Sequence, residues 1–388
     1  MSGLDVKPNG GYKVIVDGLS DTPTDGIRDH LKVVEQPFPN LDALADHDVV
    51  IAVRCAGLSW VDLLMLSGQY QHMPTLPYTP GLEYSGTIVW LGPDVDRTMF
   101  DLGQSVFVDC FSVGPRTSGP YQAYGGMASY AVAPASAVRA MPDQFTFEQA
   151  CNYAGNYETA YHCLVACGHL CAGETVLVHG ASGATGVAAV QIAKHLGATV
   201  IATGRSIHKL NVIKSLGADH IIPIGYDDGR PGVRRFRDDI KALTDGAGVD
   251  VVYDGVGGDV SIESLRCVRF GARFLIVGWA STPDVAKGRG GRGAPRANQL
   301  PTNLILMKGL RVLGCPTVIA TQKDPTIRDE RVVTLDKWVR AGALRPYVSH
   351  QFNIHEVAEA FEAKWRGDVI GGCIINPAPA SDAHPKNQ

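Results

Sequence analysis

The spacing of apolar residues changes once along the chain, near Phe147, and the two sides predict different kinds of structure. Before the change, short β-branched runs alternate with turn residues: Val49–Val53, Tyr84–Leu91 ending at Gly92-Pro93, Gln104–Asp109 and Met127–Val132. Gly and Pro punctuate the gaps, as in Leu76-Pro77-Tyr78-Thr79-Pro80-Gly81, which predicts a compact antiparallel β unit. From Phe147 to Leu170 apolar residues fall at helical spacing without a proline, and Cys171-Ala172-Gly173-Glu174 then turns into the strand Thr175–Val178. Strand and helix alternate from there. Helices are expected over Thr185–Leu196, Ser206–Leu216, Val233–Leu243 and Asp259–Val268, and strands over Thr199–Ala202, His220–Ile224, Val249–Tyr253 and Arg273–Val277. Such alternation builds right-handed βαβ units on a parallel sheet. The remainder is mixed: helices over Arg328–Ala341 and His355–Lys364, a last strand Cys373–Ile375, and a polar end, Pro377–Gln388, expected to fray.

Composition narrows the picture. A chain of 388 residues exceeds the ~250–300 at which a single core stops growing, so two units are expected. The net charge of −4 gives no pull toward nucleic acid or anionic membrane, and no apolar run approaches a bilayer span. Met1-Ser2-Gly3-Leu4-Asp5 lacks the regions of a signal peptide. Nine cysteines, an odd number spread over a long chain, fit free thiols in a reducing compartment, so a cytoplasmic protein is expected.

The chemistry concentrates after the first parallel strand. Thr175–Val178 runs through His179-Gly180-Ala181-Ser182-Gly183-Ala184-Thr185-Gly186 into a helix. This is a glycine fingerprint with Ala181 at the first position and Gly183 and Gly186 at the second and third. Gly183 lets backbone approach a pyrophosphate, and Gly186 lets the helix pack closely on the strand. The unpaired N–H groups at the helix start, from Ser182 to Gly186, hold the phosphate. The next strand ends in Gly204-Arg205-Ser206-Ile207-His208-Lys209, with no acid to accept from a ribose 2′-hydroxyl. Arg205, Ser206 and Lys209 suit a 2′-phosphate, so the expected cofactor is NADPH. The loops around Val256 and at Gly278-Trp279 follow the next two strands at their carboxyl ends, where ligands sit in such sheets.

Together with the first half of the chain, these residues resemble the medium-chain dehydrogenase/reductase superfamily, nearest its zinc-independent quinone oxidoreductase and enone reductase branch. The landmarks are Ala56-Gly57-Leu58-Ser59-Trp60-Val61-Asp62, Ser67-Gly68-Gln69-Tyr70, Leu76–Glu83, Val178–Gly186 and Leu216-Gly217-Ala218-Asp219. The resemblance implies an α/β fold in which a GroES-like β domain, from residues 1–155 and 325–388, carries an inserted Rossmann domain, 156–324. It also implies an active site in the cleft between them and a homodimer through an edge of the Rossmann sheet. Where zinc-bearing relatives have Cys, His-Glu and Cys, this chain has Ser59, Leu82-Glu83 and Gly155, and Cys110 stands alone where a structural zinc needs four cysteines. No metal is expected. Cys163, Cys167 and Cys171, with His162 and His169 nearby, read as core residues for want of a partner elsewhere.

Without a metal, the expected reaction is hydride transfer to a small electrophilic acceptor, a quinone or the β-carbon of an α,β-unsaturated carbonyl. The resemblance offers Tyr70 as donor to the developing oxyanion, helped by Ser59, and places Thr159 beside the nicotinamide; for Tyr70, loop packing is an equal reading. Relatives commonly carry Asn at Ser59 and often Lys at Cys373, and some carry a second Tyr at Leu64. Two stretches look individual. Ser112–Gly126 is expected over the cleft, and the cations Lys287, Arg289, Arg292 and Arg296 suit a phosphorylated acceptor such as an acyl-CoA thioester. A redox-silent NADPH-binding protein and an alcohol dehydrogenase-type carbonyl reductase remain open alternatives.

Overall fold

The computed structural model describes residues 10–70, 72–113, 119–226, 232–281 and 298–377. The Lys287–Arg296 stretch, part of Ser112–Gly126 and nearly all of Pro377–Gln388 lie outside them.

An element the sequence reading passed over comes first: β1 (Gly11–Val16) and β2 (Leu31–Gln36) pair antiparallel around α1 (Pro23–His30). Thr22 caps α1 by accepting from the Asp25 N–H. Next follow β3 (Asp48–Gly57), α2 (Trp60–Leu66), β4 (Tyr84–Leu91), β5 (Ser105–Val108), β6 (Tyr130–Pro134) and β7 (Val138–Ala140). The helical stretch from Phe147 is broken into α3 (Phe147–Ala150), α4 (Ala154–Tyr161) and a π-helical turn, His162–Cys167. Local competition explains the first break, because the Asn152 side chain donates to the Glu148 carbonyl at 3.0 Å.

The alternating region supplies β8 (Thr175–Val178), α5 (Ala184–His195), β9 (Thr199–Gly204), α6 (Ile207–Ser215) and β10 (His220–Pro223). It continues with α7 (Arg237–Leu243), β11 (Val249–Asp254), α8 (Asp259–Ser264), β12 (Val268–Ile276), α9 (Thr302–Met307) and β13 (Arg311–Gly314). Two helices are shorter than their periodicity predicts. Residues before Arg237 are held as extended chain, with the Arg234 N–H donating to the Ile224 carbonyl at 3.0 Å. Helix α8 ends at Ser264 because Val268 already opens β12. The chain closes with α10 (Thr317–Lys323), α11 (Ile327–Arg340), β14 (Val348–Asn353), α12 (Val357–Arg366) and β15 (Gly372–Asn376).

Two large sheets result. The parallel one has the order β10-β9-β8-β11-β12-β13. Core residues cover both its faces: Val187, Ile192 and Leu335 among others on one side, Phe236, Ile240 and Val260 on the other. Buried on both faces, its strands read as continuous apolar runs. The other sheet has the order β14-β15-β3-β4-β5-β7 with β6 also on β3, so strands from the chain's end complete a sheet begun near its start. The two meet where Gly371 donates its N–H to the Ser182 carbonyl at 2.8 Å.

Candidate active site

A cavity of about 870 Å³ is walled by residues of both sheets. Ten expected site residues line it: Ser59, Tyr70, Thr159, Gly183, Ala184, Thr185, Gly186, Val256, Gly278 and Trp279. The glycine loop is built as its sequence requires. Gly180 takes φ +63°, a conformation that favours glycine, and turns the chain out of β8. A Cβ on Gly186 would stand 2.3 Å from the Gly180 carbonyl oxygen and 2.7 Å from the Ala181 Cα, so α5 packs there without room for a methyl group. A Cβ on Gly183 would meet only that same oxygen, at 3.4 Å, which leaves this position open for backbone approach. Gly183 gives α5 no side-chain cap, so the first-turn N–H groups keep their positive end for an anion. Thr185 is fixed by donating to Asn156 at 3.0 Å. Across the loop, Asp254 accepts from the N–H groups of Val256 at 2.8 Å and Gly257 at 3.0 Å, which orders the turn beneath Trp279. These features fit a dinucleotide pyrophosphate.

Ser182, Gly204, Arg205, Ser206 and Lys209 do not line that cavity. Ser182 backs the loop through its carbonyl. Gly204 ends β9 against Leu210, and Ser206 caps α6 by accepting from the Lys209 N–H. Arg205 is exposed, and a Cβ on Gly367 would lie 2.9 Å from its guanidinium. The Lys209 ammonium donates to the Gly367 carbonyl. Burial lowers the Lys209 pKa, opposed by Asp368, which pairs with Arg366 at 2.9 Å. Two cations thus converge at the end of the second parallel strand, where a ribose 2′-substituent of a dinucleotide falls.

The Ser59 hydroxyl is committed elsewhere than the expected role. It donates to Asp62 at 2.7 Å, while the Asp62 N–H donates back to it at 3.3 Å, forming a capping box on α2. Its proton therefore points at a carboxylate and not at an acceptor oxygen. Tyr70 is 9% exposed, packed edge-on against His72 with ring centroids 5.7 Å apart. Glu83 accepts the Gly155 N–H at 2.7 Å. Burial pushes its carboxyl up to about 8, against that hydrogen bond and with help from Asp109, Glu158 and Asp62. A Cβ at Gly155 would be 2.7 Å from Glu83 Oε2, so a side chain there would have to displace the Glu83 carboxyl from its place. Among the described residues no group of three or more His, Cys, Asp or Glu is disposed to hold a metal.

Several cavity residues escaped the sequence reading. His179, 1% exposed, bonds Thr203 at 2.7 Å and Ser264 at 2.6 Å through its two ring nitrogens, and burial lowers its pKa to about 4, so the imidazole is neutral. Gln69 Nε2, His72 Nε2 and the Tyr253 hydroxyl are buried without a hydrogen-bond partner among the described residues. Lys364 also reaches the wall. A signal for it existed: Lys364 follows buried Ala360 by four residues and buried Phe361 by three, so helical spacing puts it on the buried stripe. The cysteine reading changes at one position: Cys163 and Cys167 do pack in the core, where Cys315 from β13's end joins them, but Cys171 is exposed.

A glycine loop that opens at a helix start onto a cleft between two sheets is the arrangement of an oxidoreductase that uses a nicotinamide dinucleotide, and the comparisons with known proteins agree. Residues 45–143 match the alcohol dehydrogenase GroES-like domain family, and residues 184–322 match the zinc-binding dehydrogenase family. A quinone oxidoreductase-like protein 2 homolog of Nematostella vectensis is 33% identical over 346 residues, covering 89% of this chain and 85% of its own. Human quinone oxidoreductase is 28% identical over 85% of this chain and 89% of its own. The crystal structure of a probable oxidoreductase from Mycobacterium abscessus has a TM-score of 0.75 at 26% identity, covering 95% of this chain and 100% of that one. The chain belongs to the medium-chain dehydrogenase/reductase superfamily, in its quinone oxidoreductase branch, with a GroES-like domain and a Rossmann-like parallel sheet. Among the described residues no helix is long and apolar enough to cross a membrane.

Proposed function

We propose that the protein transfers hydride from NADPH to a quinone, or to the C=C bond of an α,β-unsaturated carbonyl, without a metal. The observation that carries this reading is the continuity of one cavity from the uncapped start of α5 to an apolar wall of Trp60, Leu64, Met65 and Phe111. The bound dihydronicotinamide supplies the hydride at its C4. Residues 156–324 are taken as the dinucleotide-binding unit, with residues 1–155 and 325–388 forming the acceptor unit. Gly183–Gly186 hold the pyrophosphate, Arg205, Ser206 and Lys209 take the 2′-phosphate, and Thr159, Val256, Gly278 and Trp279 orient the nicotinamide half. Tyr70 lines the acceptor's side and helps to exclude water. A mycobacterial protein with a similar fold was crystallised with NADPH, which supports the cofactor choice. Glu83, held by Gly155, and the absence of a metal-donor cluster among the described residues support metal independence.

An NADPH-oxidation screen over 1,4-quinones, enones and enoyl thioesters, with NADH in parallel, tests the reading. Turnover with a quinone or enone is expected, with kcat/KM for NADPH at least about tenfold above that for NADH, a difference of about 1.4 kcal/mol. Tight NADPH binding without oxidation by any acceptor would make the protein a binder only. Stoichiometric zinc with alcohol oxidation would restore a metal mechanism.

We also propose a homodimer through β13, the edge of the parallel sheet. Phe270 and Leu306 are each 81% exposed and Met307 73%, apolar groups beside a strand that pairs with β12 on one side and has no strand on its other side among the described residues. Light scattering should give twice the chain mass, and Leu306→Glu with Met307→Glu should halve it. A wild-type monomer at micromolar concentration would end this proposal.

A further inference from the structure

Lys364 stands near the end of α12, and its side chain forms part of the cavity wall. It is the one lysine or arginine among the described residues that line this cavity. It makes no hydrogen bond or ion pair with any described residue. Its position is fixed from outside: Trp365 stacks on Trp60 of α2 with centroids 5.7 Å apart and planes 17° from parallel. That stacking holds α12 against α2 beside the lysine.

The groups facing Lys364 do not account for its charge. From α2 comes Asp62, whose Oδ2 accepts the Ser59 N–H at 2.8 Å and hydroxyl at 2.7 Å, and whose Oδ1 accepts the Gly81 N–H at 3.1 Å. Three donors already serve that carboxylate. From β15 comes Cys373, a thiol whose pKa burial raises to about 11. On α1, which packs on α12, Arg28 pairs with Asp25 and Asp29 at the surface. Glu83 and His72 also line the cavity, and neither is among the groups whose charge acts on Lys364. Burial lowers the Lys364 pKa, the direction expected when an ammonium is taken from water without a bonded counterion.

We propose that Lys364 is the cation that receives the acceptor's oxygen as negative charge develops on it during reduction. This rests on the hydride-transfer reading above and names the group that completes it. With the Ser59 proton held by Asp62, the side-chain donors left on that wall, such as the Gln69 amide, are neutral, and among the described lysines and arginines of the cavity Lys364 is the one donor that carries a full charge. An ammonium offers three, together with a full charge in surroundings where attraction is weakly screened. A neutral carbonyl oxygen relieves little of the cost of burying the ammonium, and an enolate or quinolate oxygen relieves much more. The interaction therefore strengthens toward the transition state, which is the condition for catalysis. In this role Lys364 touches the acceptor, and it serves quinone and enone alike because both place charge on oxygen.

The test has a spectroscopic and a kinetic arm. In the first, 4-nitrophenol, a phenol whose anion absorbs in the visible, is titrated into the full-length protein with NADP+ present. The wild type should hold it as phenolate at least about one pH unit below where the free probe loses its band, a tenfold preference for the anion. Lys364→Met should lose that shift, and Lys364→Arg should keep part of it. In the second arm, Lys364→Met should lower kcat about 100-fold, the loss typical of removing one oxyanion donor, with the Kd for NADPH changed less than twofold. The melting temperature of Lys364→Met should equal or exceed that of the wild type, since a desolvated charge is removed.

A probe that shows no shift in the wild type, or the same shift in Lys364→Met, overturns the proposal. So does a raised Kd for NADPH with kcat unchanged, which would place the lysine on the cofactor. A Lys364-dependent shift in a protein that reduces no acceptor supports the oxyanion site and rejects the hydride-transfer reading, so the two failures are told apart.

Discussion

Gly183→Ala is expected to leave the protein folded and to strip it of its dinucleotide, while Gly186→Ala, three residues on, is expected to damage the fold itself. At Gly183 the backbone has φ −77°, which alanine adopts freely, and the added methyl meets only the Gly180 carbonyl oxygen at an ordinary 3.4 Å. Unfolding stability should therefore move by less than about 1 kcal/mol. That methyl would project where a pyrophosphate must lie against backbone. An unrelieved clash of the overpacking kind costs about 1–3 kcal/mol, or roughly 10–100-fold in Kd for NADPH. At Gly186 the new methyl would sit 2.3 and 2.7 Å from atoms of the Gly180–Ala181 backbone, which cannot swing aside as a side chain does. The loss should reach about 3 kcal/mol in urea unfolding, since α5 must lift off β8. Fluorescence titration with NADPH and denaturant melts of both variants settle the matter. Wild-type affinity in Gly183→Ala would show that the phosphate does not bind at this turn.

Arg205→Gln should separate the two nicotinamide dinucleotides. A charge-assisted hydrogen bond to the 2′-phosphate contributes about 1.5–3 kcal/mol, so the Kd for NADPH should rise roughly 10–100-fold, with that for NADH unchanged. Lys209→Met should do less, because its ammonium already donates to the Gly367 carbonyl. Since Arg205 is exposed, salt should screen the attraction, and the wild-type preference for NADPH should shrink between low and high ionic strength. Equal weakening of both dinucleotides in Arg205→Gln would mean that the arginine shapes the turn and carries no selectivity.

Much of this fold could be read from local pattern, because the pattern and the tertiary environment agree. Thr175–Val178 and its helix are buried on the faces that their spacing indicates, and Gly180 and Gly186 are glycine for reasons visible in the motif. What could not be read depends on partners distant in sequence. The break after Ala150 comes from a side chain competing for a backbone carbonyl, and Arg234 holds extended chain where periodicity suggested helix. Ser59 looked like a donor in a pocket, yet its neighbour Asp62, three residues on, takes its proton. Lys364 sat on an apolar stripe, but a lysine in the last turn of a helix also suits the helix dipole, so sequence alone could not separate the two explanations. Cys315 joins Cys163 and Cys167 only once β13 is laid beside β12.

The place of β15 between β14 and β3 bears on how the polypeptide matures as it leaves the ribosome. Strand β3 emerges early, yet the neighbour on one of its sides is made more than three hundred residues later. All six strands of the parallel sheet, by contrast, lie within one contiguous stretch, Thr175 to Gly314. That stretch can therefore complete its pairing while the nascent chain is still being extended, and the earlier sheet must wait with an edge open. Lys364 arrives in the same late segment as Gly367 and Gly371, which hold Lys209 and the Ser182 carbonyl, so a polypeptide cut short before it can pair its parallel sheet and still lack both those ties and one wall of its acceptor cleft.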